Sequence, residues 1–299
     1  MGTQRRFERV TIVFHPSSGR GLGQRRATRL AAGLSELKVN HRLLDVSGLS
    51  NQELAENLTT SDAVVIVGGD GLIHHLVQVL AGTGIPVGII PAGSGNDTWR
   101  MLDDGRNSQP LEIVTSFLAG EEHSHPVDLL EITFDSNPQT TRLAVGSISW
   151  GFEATVNERA NTLPRWLGSL RYAMGLALCL PRITAIQTHV VGQGLEYRGP
   201  ALAASIANIR SLGGGITLFA AARFDDGLAD LSMVTGARIA PALRNLPRIL
   251  TGREHQLRVA GQASWFSVQT AQNCYADGEL LGRGSFSLKV VPGELLLMR

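Results

Sequence analysis

Apolar positions in the first part of the chain follow two alternating rhythms. Val10–Phe14 is a short β-branched run that ends at His15-Pro16-Ser17-Ser18-Gly19. A stretch with helical spacing follows at about residues 24–37, where Leu30 and Leu34 share a face. Residues 41–46 read as a second strand. Residues 50–58 read as a helix, with Ser50 and Glu53 at the spacing of a capping box. Residues 63–67 are continuously apolar, as in a parallel strand covered on both faces. Gly68-Gly69-Asp70-Gly71 punctuates this run, and Ile73, Leu76, Val77 and Leu80 then mark a helical face. Residues 85–90 are the next strand, followed by Pro91–Asp97. Strand and helix in alternation predict a doubly wound, Rossmann-like α/β domain with its ligand loops at the C-terminal ends of the strands.

From about Pro126 the rhythm changes. Short apolar or alternating runs occur at residues 129–134, 142–148, 183–191, 201–207, 228–234, 265–270 and 286–291, separated by turn signals. This spacing predicts an antiparallel β domain. One helical insertion, about residues 167–180, interrupts it. The boundary falls near residue 125, so residues 1–125 form the α/β domain and residues 126–299 the β domain.

Composition removes several alternatives. With 43% hydrophobic and 18% charged residues, the 299-residue chain is not disordered. Its net charge of +1 argues against a general polyanion binder, and no nucleic-acid partner is expected. Cys179 and Cys274 are the two cysteines, far apart and without a CxxC, which fits a reducing cytosol. No segment approaches the ~18–20 apolar residues that span a bilayer, and the N-terminal run has no signal-peptide pattern. The expected location is cytoplasmic, at most peripheral to a membrane. Of the 27 basic residues only Lys38 and Lys289 are lysines. There is no GxxxxGK[ST], so phosphate must be handled by backbone amides, metal or arginine.

Two segments can do so. Gly68–Gly71 and Pro91-Ala92-Gly93-Ser94-Gly95-Asn96-Asp97 each follow a buried strand and open a helix. Glycine lets backbone approach a phosphate, and free N–H groups at a helix start favour an anion. Asp70 would repel phosphate unless a cation lay between, which points to Mg²⁺ or a hydrogen-bonding duty. One such loop is common for tightness alone. Two in order, both after strands and both carrying Asp, argue for phosphate.

The ordered set of segments resembles the diacylglycerol kinase catalytic family, which includes bacterial lipid kinases, sphingosine kinases and ceramide kinases. The set is Gly68–Gly71, Pro91–Asp97, Gly213-Gly214-Gly215 with Asp225-Asp226-Gly227-Leu228-Ala229-Asp230, and Asp277-Gly278-Glu279. The resemblance implies an α/β domain followed by a β-sandwich, with ATP in the cleft between them. His15, Pro16, Ser17, Ser18 and Gly19 resemble the first nucleotide loop. Gly68, Gly69, Asp70, Gly71, Leu72, Ile73, His74 and His75 resemble the main ATP loop and its helix. Gly93, Ser94, Asn96 and Asp97 match the next loop, with Ser94 as the hydroxyl that contacts ATP, and Asp45 sits where a strand-end residue contacts the nucleotide. A structural Mg²⁺ maps to the carbonyls of Arg223 and Leu228 with Asp226. Glu279 resembles the proton acceptor, with Asp70 as the second candidate. Read without the family, Asp277-Gly278 and Asp225-Asp226-Gly227 are plain turns.

The chain departs from the family's usual Gly-Gly-Asp-Gly-Thr-x-Asn-Glu at Leu72, His74 and His75, and from its first-loop Asn at His15. Ser149-Trp150-Gly151-Phe152-Glu153-Ala154 resembles the segment that lines the lipid head-group site. The next residue is Thr155, where sphingosine kinases carry an Asp that pairs with the substrate amine. The expected activity is therefore ATP- and Mg²⁺-dependent phosphorylation of a lipid hydroxyl, on diacylglycerol or a related lipid. A sphingoid-base or ceramide kinase, an NAD kinase-like enzyme and a weakly catalytic binding module are the alternatives. The apolar residues of 163–182 flanked by Arg165, Arg171 and Arg182 suit an interfacial helix as well as a core helix. The partners expected are a lipid substrate and a membrane surface met peripherally and transiently, with a homodimer as an open oligomeric form.

Overall fold

The computed structural model describes residues 7–93, 95–96, 98–100, 109–120, 123–164, 167, 170–212 and 216–299. The chain divides into two compact units. The first is Met1–Val127 with Gly293–Arg299, and the second is Asp128–Pro292.

The first unit is built on four parallel strands: β1 (Val10–Phe14), β2 (His41–Asp45), β3 (Ala63–Gly68) and β4 (Pro86–Pro91). Their order is β4-β3-β1-β2. Between them run α1 (Leu22–Glu36), α2 (Asn51–Leu58) and α3 (Asp70–Leu80). Apolar periodicity explains each helix. On α1, Ala27, Leu30, Ala31 and Leu34 are buried, the i, i+3, i+4, i+7 stripe of a helix laid on a sheet. On α2, Ser50 and Glu53 complete the capping box, satisfying N–H groups that the helix start leaves unpaired. α4 (Pro110–Ala119) starts with proline at its first turn and ends at Gly120, whose φ of +85 terminates the helix. Strands β1 and β3 are buried throughout, as the two-faced cover of a parallel sheet requires.

The second unit is mostly antiparallel. In chain order its strands are β5 (Ser124–Phe134, entered from the first unit), β6 (Thr141–Ala144), β7 (Ser147–Gly151), β8 (Ile186–Gly192), β9 (Leu195–Ala207), β10 (Ser211–Leu212), β11 (Ile216–Thr217) and β12 (Ala229–Thr235). They continue with β13 (Arg258–Ala263), β14 (Trp265–Gln269), β15 (Asn273–Ala276), β16 (Glu279–Arg283) and β17 (Phe286–Met298). The central path is β16-β15-β7-β9-β8-β14-β17, and β12 joins β9 to β13. The long strand β9 pairs with β8 through its first half and with β7 through its second. Its core holds Trp150, Phe266 and Phe286, with Trp150 edge-on to Phe286 at 5.6 Å. Trp150 Nε1 donates to Thr188 Oγ1 at 3.2 Å, so the buried indole keeps a polar partner. The helices are α5 (Phe152–Thr162), α6 (Leu170–Cys179), α7 (Ile239–Arg244) and α8 (Leu246–Leu250). Among the described residues no helix is long and apolar enough to cross a membrane.

The rhythm of the sequence puts the change near residue 125 and assigns everything after it to one domain. The compact units differ at the C-terminus. β17 runs on past Pro292, and Leu296 and Leu297 pair in parallel with Pro86 and Val87 of β4. Leu295, Leu297 and Met298 are buried there. The expected helix at 167–180 is α6, but α4, α5, α7 and α8 were not foreseen. Leu297→Ala is expected to cost about 2–5 kcal/mol, the usual range for a buried Leu, read as a lower urea midpoint.

Candidate active site

The loops that leave β1, β3 and β4 meet at the C-terminal edge of the parallel sheet. Gly69 and Gly93 stand backbone to backbone. A methyl built on Gly93 would lie 2.6 Å from Gly69 Cα, and one on Gly69 would lie 2.8 Å from Gly93 Cα. The Ala92 N–H donates to the Gly68 carbonyl at 2.6 Å, which ties the two loops together. Gly19, at φ +54, backs onto the Ala92 carbonyl, 2.2 Å from where a Cβ would stand. All three contacts demand glycine. Asn96, at φ +56, closes the third loop, accepting from Gly93 N–H at 2.8 Å and donating to Gly93 O at 3.0 Å. Asp70 opens α3, and its Oδ1 accepts the Thr98 N–H at 3.0 Å. Asp70 therefore ties the second loop to the third, a hydrogen-bonding duty beside any role toward a cation.

Other expected nucleotide residues gather at the same edge. In the first loop the Ser18 N–H donates to the His15 carbonyl at 3.0 Å, and Ser17 Oγ lies 2.9 Å from His15 Nδ1. Pro16 is half-buried between them. Asp45 ends β2 and accepts from the Ser47 hydroxyl and N–H at 2.7 and 2.8 Å. Those bonds, the hydroxyl first, hold its carboxyl below the usual range, and the charge of His15 adds to them. Gly71 is exposed at the first turn of α3. Leu72 and Ile73 follow in the first turn of α3. Both their N–H groups donate to the Gly69 carbonyl, the Leu72 side chain folds over Gly68, and Ile73 is buried. His74 and His75 are half-buried on α3, and His75 is held below its usual value by burial first and by His74 next. Ser94 and Asp97 lie outside the described residues.

In the second unit, residues 223–228 form one loop before β12. Arg223 Nε pairs with Asp225 at 3.2 Å, and Asp226 Oδ1 accepts the Leu228 N–H at 3.1 Å. The loop is anchored by a residue the sequence reading missed. Asp128 is buried in β5, its carboxylate accepts the Gly227 N–H at 2.7 Å, and its own N–H donates to the Phe224 carbonyl at 2.7 Å. An aspartate inside an apolar strand was the available signal. The carboxylate of Asp226 and the carbonyls of Arg223 and Leu228 are hard oxygen donors, which suit Mg²⁺. Among the described residues no cluster of three or more His, Cys, Asp or Glu side chains offers an alternative metal centre. Gly213–Gly215 lie outside the described residues.

Asp277 and Gly278, at φ +51 and +87, make the tight turn of the β15–β16 hairpin, and Glu279 follows it, exposed, at the start of β16. Two positive φ values are the mark of a hairpin turn whose twist matches its strands. Asp277 does more than turn the chain. Its carboxylate accepts the N–H groups of Val145, Gly146 and Ser147 at 3.0, 2.8 and 3.1 Å. Asn161 Nδ2 of α5 donates to the Gly278 carbonyl at 3.1 Å. The turn that carries Glu279 is thus fastened from two sides.

The second unit also contains a cavity with about 920 Å³ of empty space, its open mouth included. Apolar side chains of α5, α6, α7, α8 and β9 dominate its lining, among them Val156, Leu176, Leu202, Leu243 and Leu250. Glu153, half-buried in the first turn of α5, is the acid of its lining. The Ser205 hydroxyl donates to Glu153 Oε2, and burial pushes the Glu153 carboxyl up to about 8. Burial also pushes the Cys274 thiol up to about 12 and raises that of Cys179, so neither thiol suits nucleophilic chemistry.

The whole arrangement has counterparts among solved structures. A diacylglycerol kinase from Bacillus anthracis superposes with a TM-score of 0.75 at 19% identity, covering 98% of this chain and 97% of that one. Yeast NADH kinase in complex with NADH superposes with a TM-score of 0.55 at 13% identity, covering 98% and 84%. At these identities the likeness is one of fold: a parallel α/β unit followed by a mostly antiparallel β unit, as in NAD kinase. Sequence patterns narrow the class. Residues 9–132 match the diacylglycerol kinase catalytic domain, and residues 146–299 match the YegS C-terminal NAD kinase beta sandwich-like domain. The diacylglycerol kinase of Mycobacterium tuberculosis (strain ATCC 25618 / H37Rv) is 31% identical over 312 residues, covering 100% of this chain and 98% of its own. The chain belongs to the diacylglycerol kinase and YegS lipid kinase family.

Two outcomes are expected. Asp277→Ala strands three backbone N–H groups and should lower unfolding stability by about 2–3 kcal/mol, while Asp277→Asn, which tolerates the positive φ and keeps one acceptor oxygen, recovers part of that loss. For Glu153 the folded state holds its proton up to about pH 8, whereas the unfolded chain releases it near 4.5. The folded state therefore binds more protons between those values, and stability must fall as pH rises through them, by up to roughly 5 kcal/mol. Thermal unfolding from pH 5 to 8.5 should show this slope in the wild type and lose it in Glu153→Gln.

Proposed function

We propose that the protein is an ATP-dependent lipid kinase whose acceptor is a diacylglycerol-class lipid. The observation that carries this reading is the apolar cavity of the second unit, of a size suited to a small-molecule ligand with one half-buried acid in its wall. Family membership supports the phosphoryl-transfer chemistry.

The acceptor hydroxyl attacks the γ-phosphorus of ATP, the bond from that phosphorus to the bridging β,γ-oxygen breaks, and ADP leaves with its electron pair. The hydroxyl proton passes to the carboxylate of Glu279, an exposed group at the end of a fastened turn, with Asp70 as the second candidate. The loops at Gly19, Gly69–Gly71 and Gly93 receive the nucleotide phosphates, because glycine brings no side chain of its own there and the start of α3 offers N–H groups. Asp226 with the carbonyls of Arg223 and Leu228 would hold Mg²⁺, which when bound neutralises charge and steadies its loop.

We also propose that the enzyme works from the cytoplasm on a membrane surface. Leu170, Met174 and Leu178 repeat at every fourth residue along α6 and are exposed, while Leu176 of the same helix lines the cavity. Arg171, Arg182, Arg244 and Arg248 flank this stripe and α7, a composition that suits anionic lipid. Arg165 and Trp166 lie outside the described residues.

The test is transfer of labelled γ-phosphate from ATP and Mg²⁺ to dioctanoylglycerol, to sphinganine and to NAD, in wild type and Glu279→Ala. The expected result is a labelled product from dioctanoylglycerol that falls about 100-fold or more in the variant. Label in NAD alone would replace the reading with an NAD kinase-like one. ATP binding without transfer to any acceptor would replace it with a binding module, the outcome that His15, His74 and His75 would then explain.

A further inference from the structure

A row of serines crosses three strands and reaches the cavity at Ser232. Ser149 of β7 stands directly opposite Ser205 of β9, and Ser205 stands directly opposite Ser232 of β12. Directly paired residues on neighbouring strands put their side chains on one face, so the three hydroxyls form a row. Ser149 and Ser205 are buried, and Ser232 lines the cavity. Glu153 comes onto this row from the first turn of α5 and accepts a hydrogen bond from the Ser205 hydroxyl. The other charged or titratable side chains that line the cavity are Arg253, His255 and Arg258. Arg258 pairs with the exposed Glu254. His255 is held below its usual value, by burial first and by Arg258 next, so it stays neutral through the range in which Glu153 titrates. No lining residue supplies a second carboxylate.

We propose that Glu153 is a specificity-determining residue: with Ser205 and Ser232 it hydrogen-bonds an uncharged oxygen group of the acceptor lipid, an ester carbonyl or hydroxyl, and it makes the cavity reject lipids that carry a cationic amine. This rests on the lipid-kinase reading and adds the residue that selects among lipids. A half-buried carboxyl in a mostly apolar wall, whose hydrogen-bond partner is a neutral hydroxyl, is stable as the neutral acid, which has an O–H to donate. Ester oxygens have the lone pairs to accept it. An ammonium group would instead need an anion in the wall, and it would meet two guanidinium groups. Ionising Glu153 removes the donor and leaves a buried charge, so affinity for an ester-bearing lipid must fall as pH rises.

The test is equilibrium binding without ATP, using dioctanoylglycerol and sphinganine as probes, from pH 6.5 to 9. Dioctanoylglycerol does not titrate in that range, so its profile reports the protein. Wild type is expected to bind it about tenfold more weakly at pH 9 than at pH 6.5, and to bind sphinganine at least about tenfold more weakly than dioctanoylglycerol at pH 6.5. Glu153→Gln keeps a donor and an acceptor, so it should bind with near wild-type affinity and a flat profile. Glu153→Leu should lose about tenfold at pH 6.5. An unchanged affinity in Glu153→Leu, a flat wild-type profile, or preference for sphinganine would each overturn the assignment while leaving a lipid kinase in place. The wild-type profile decides even if the Leu variant fails to fold. Binding of neither probe to the wild type would overturn the assignment and the lipid reading together.

Discussion

Everything at the parallel sheet's C-terminal edge depends on how closely three turns of bare backbone can approach one another. Gly19, Gly69 and Gly93 meet neighbours at distances where a single methyl would collide with a carbonyl or an α-carbon. That closeness lets the Asp70 carboxylate reach the Thr98 amide, and it sets the Asn96 side chain across Gly93. The glycines act through excluded volume first and through backbone freedom second; only Gly19 of the three has a positive φ.

The second unit meets a different demand, that of burying polar groups without leaving them unpaired. Asp128 and Asp277 are both carboxylates that accept backbone N–H groups from turns far away in sequence, and each fastens a loop that carries a candidate functional residue. Such bonds to a charged acceptor are stronger than neutral ones and sharply directional. Glu153 solves the same problem in the opposite way, with one hydroxyl and a retained proton rather than several amides.

The α/β unit was legible because its signals are strong. Continuous apolar runs, a capping box and glycine after strands locate β1 to β4 and α1 to α3 within a few residues. Elements of the second unit escaped for identifiable reasons. α5 buries only Ala154, Val156 and Ala160, too weak a stripe to stand out in a polar segment. α7 and α8 are short and contain Pro241 and Pro247. β13 carries Gly261, which serves as a seat for Leu195 and breaks the alternation. Family resemblance singled out Asp277-Gly278-Glu279, yet a turn was also the plain reading, and the structure contains that turn. The grip of Asp277 on residues 145–147 joins positions some 130 apart, which no local pattern encodes. The serine row was hidden likewise, since strand register alone brings Ser149, Ser205 and Ser232 together.

The return of residues 293–299 to the first unit makes the second unit an insertion within the first. A ribosome delivers β1 to β4 early, but the strand that lies beside β4 is made only after the whole β unit has been synthesised. The nascent α/β unit must therefore wait with the β4 edge uncovered, a surface open to wrong pairing. Folding of the second unit, by shortening the path that Leu296 must search, becomes part of how the first is completed.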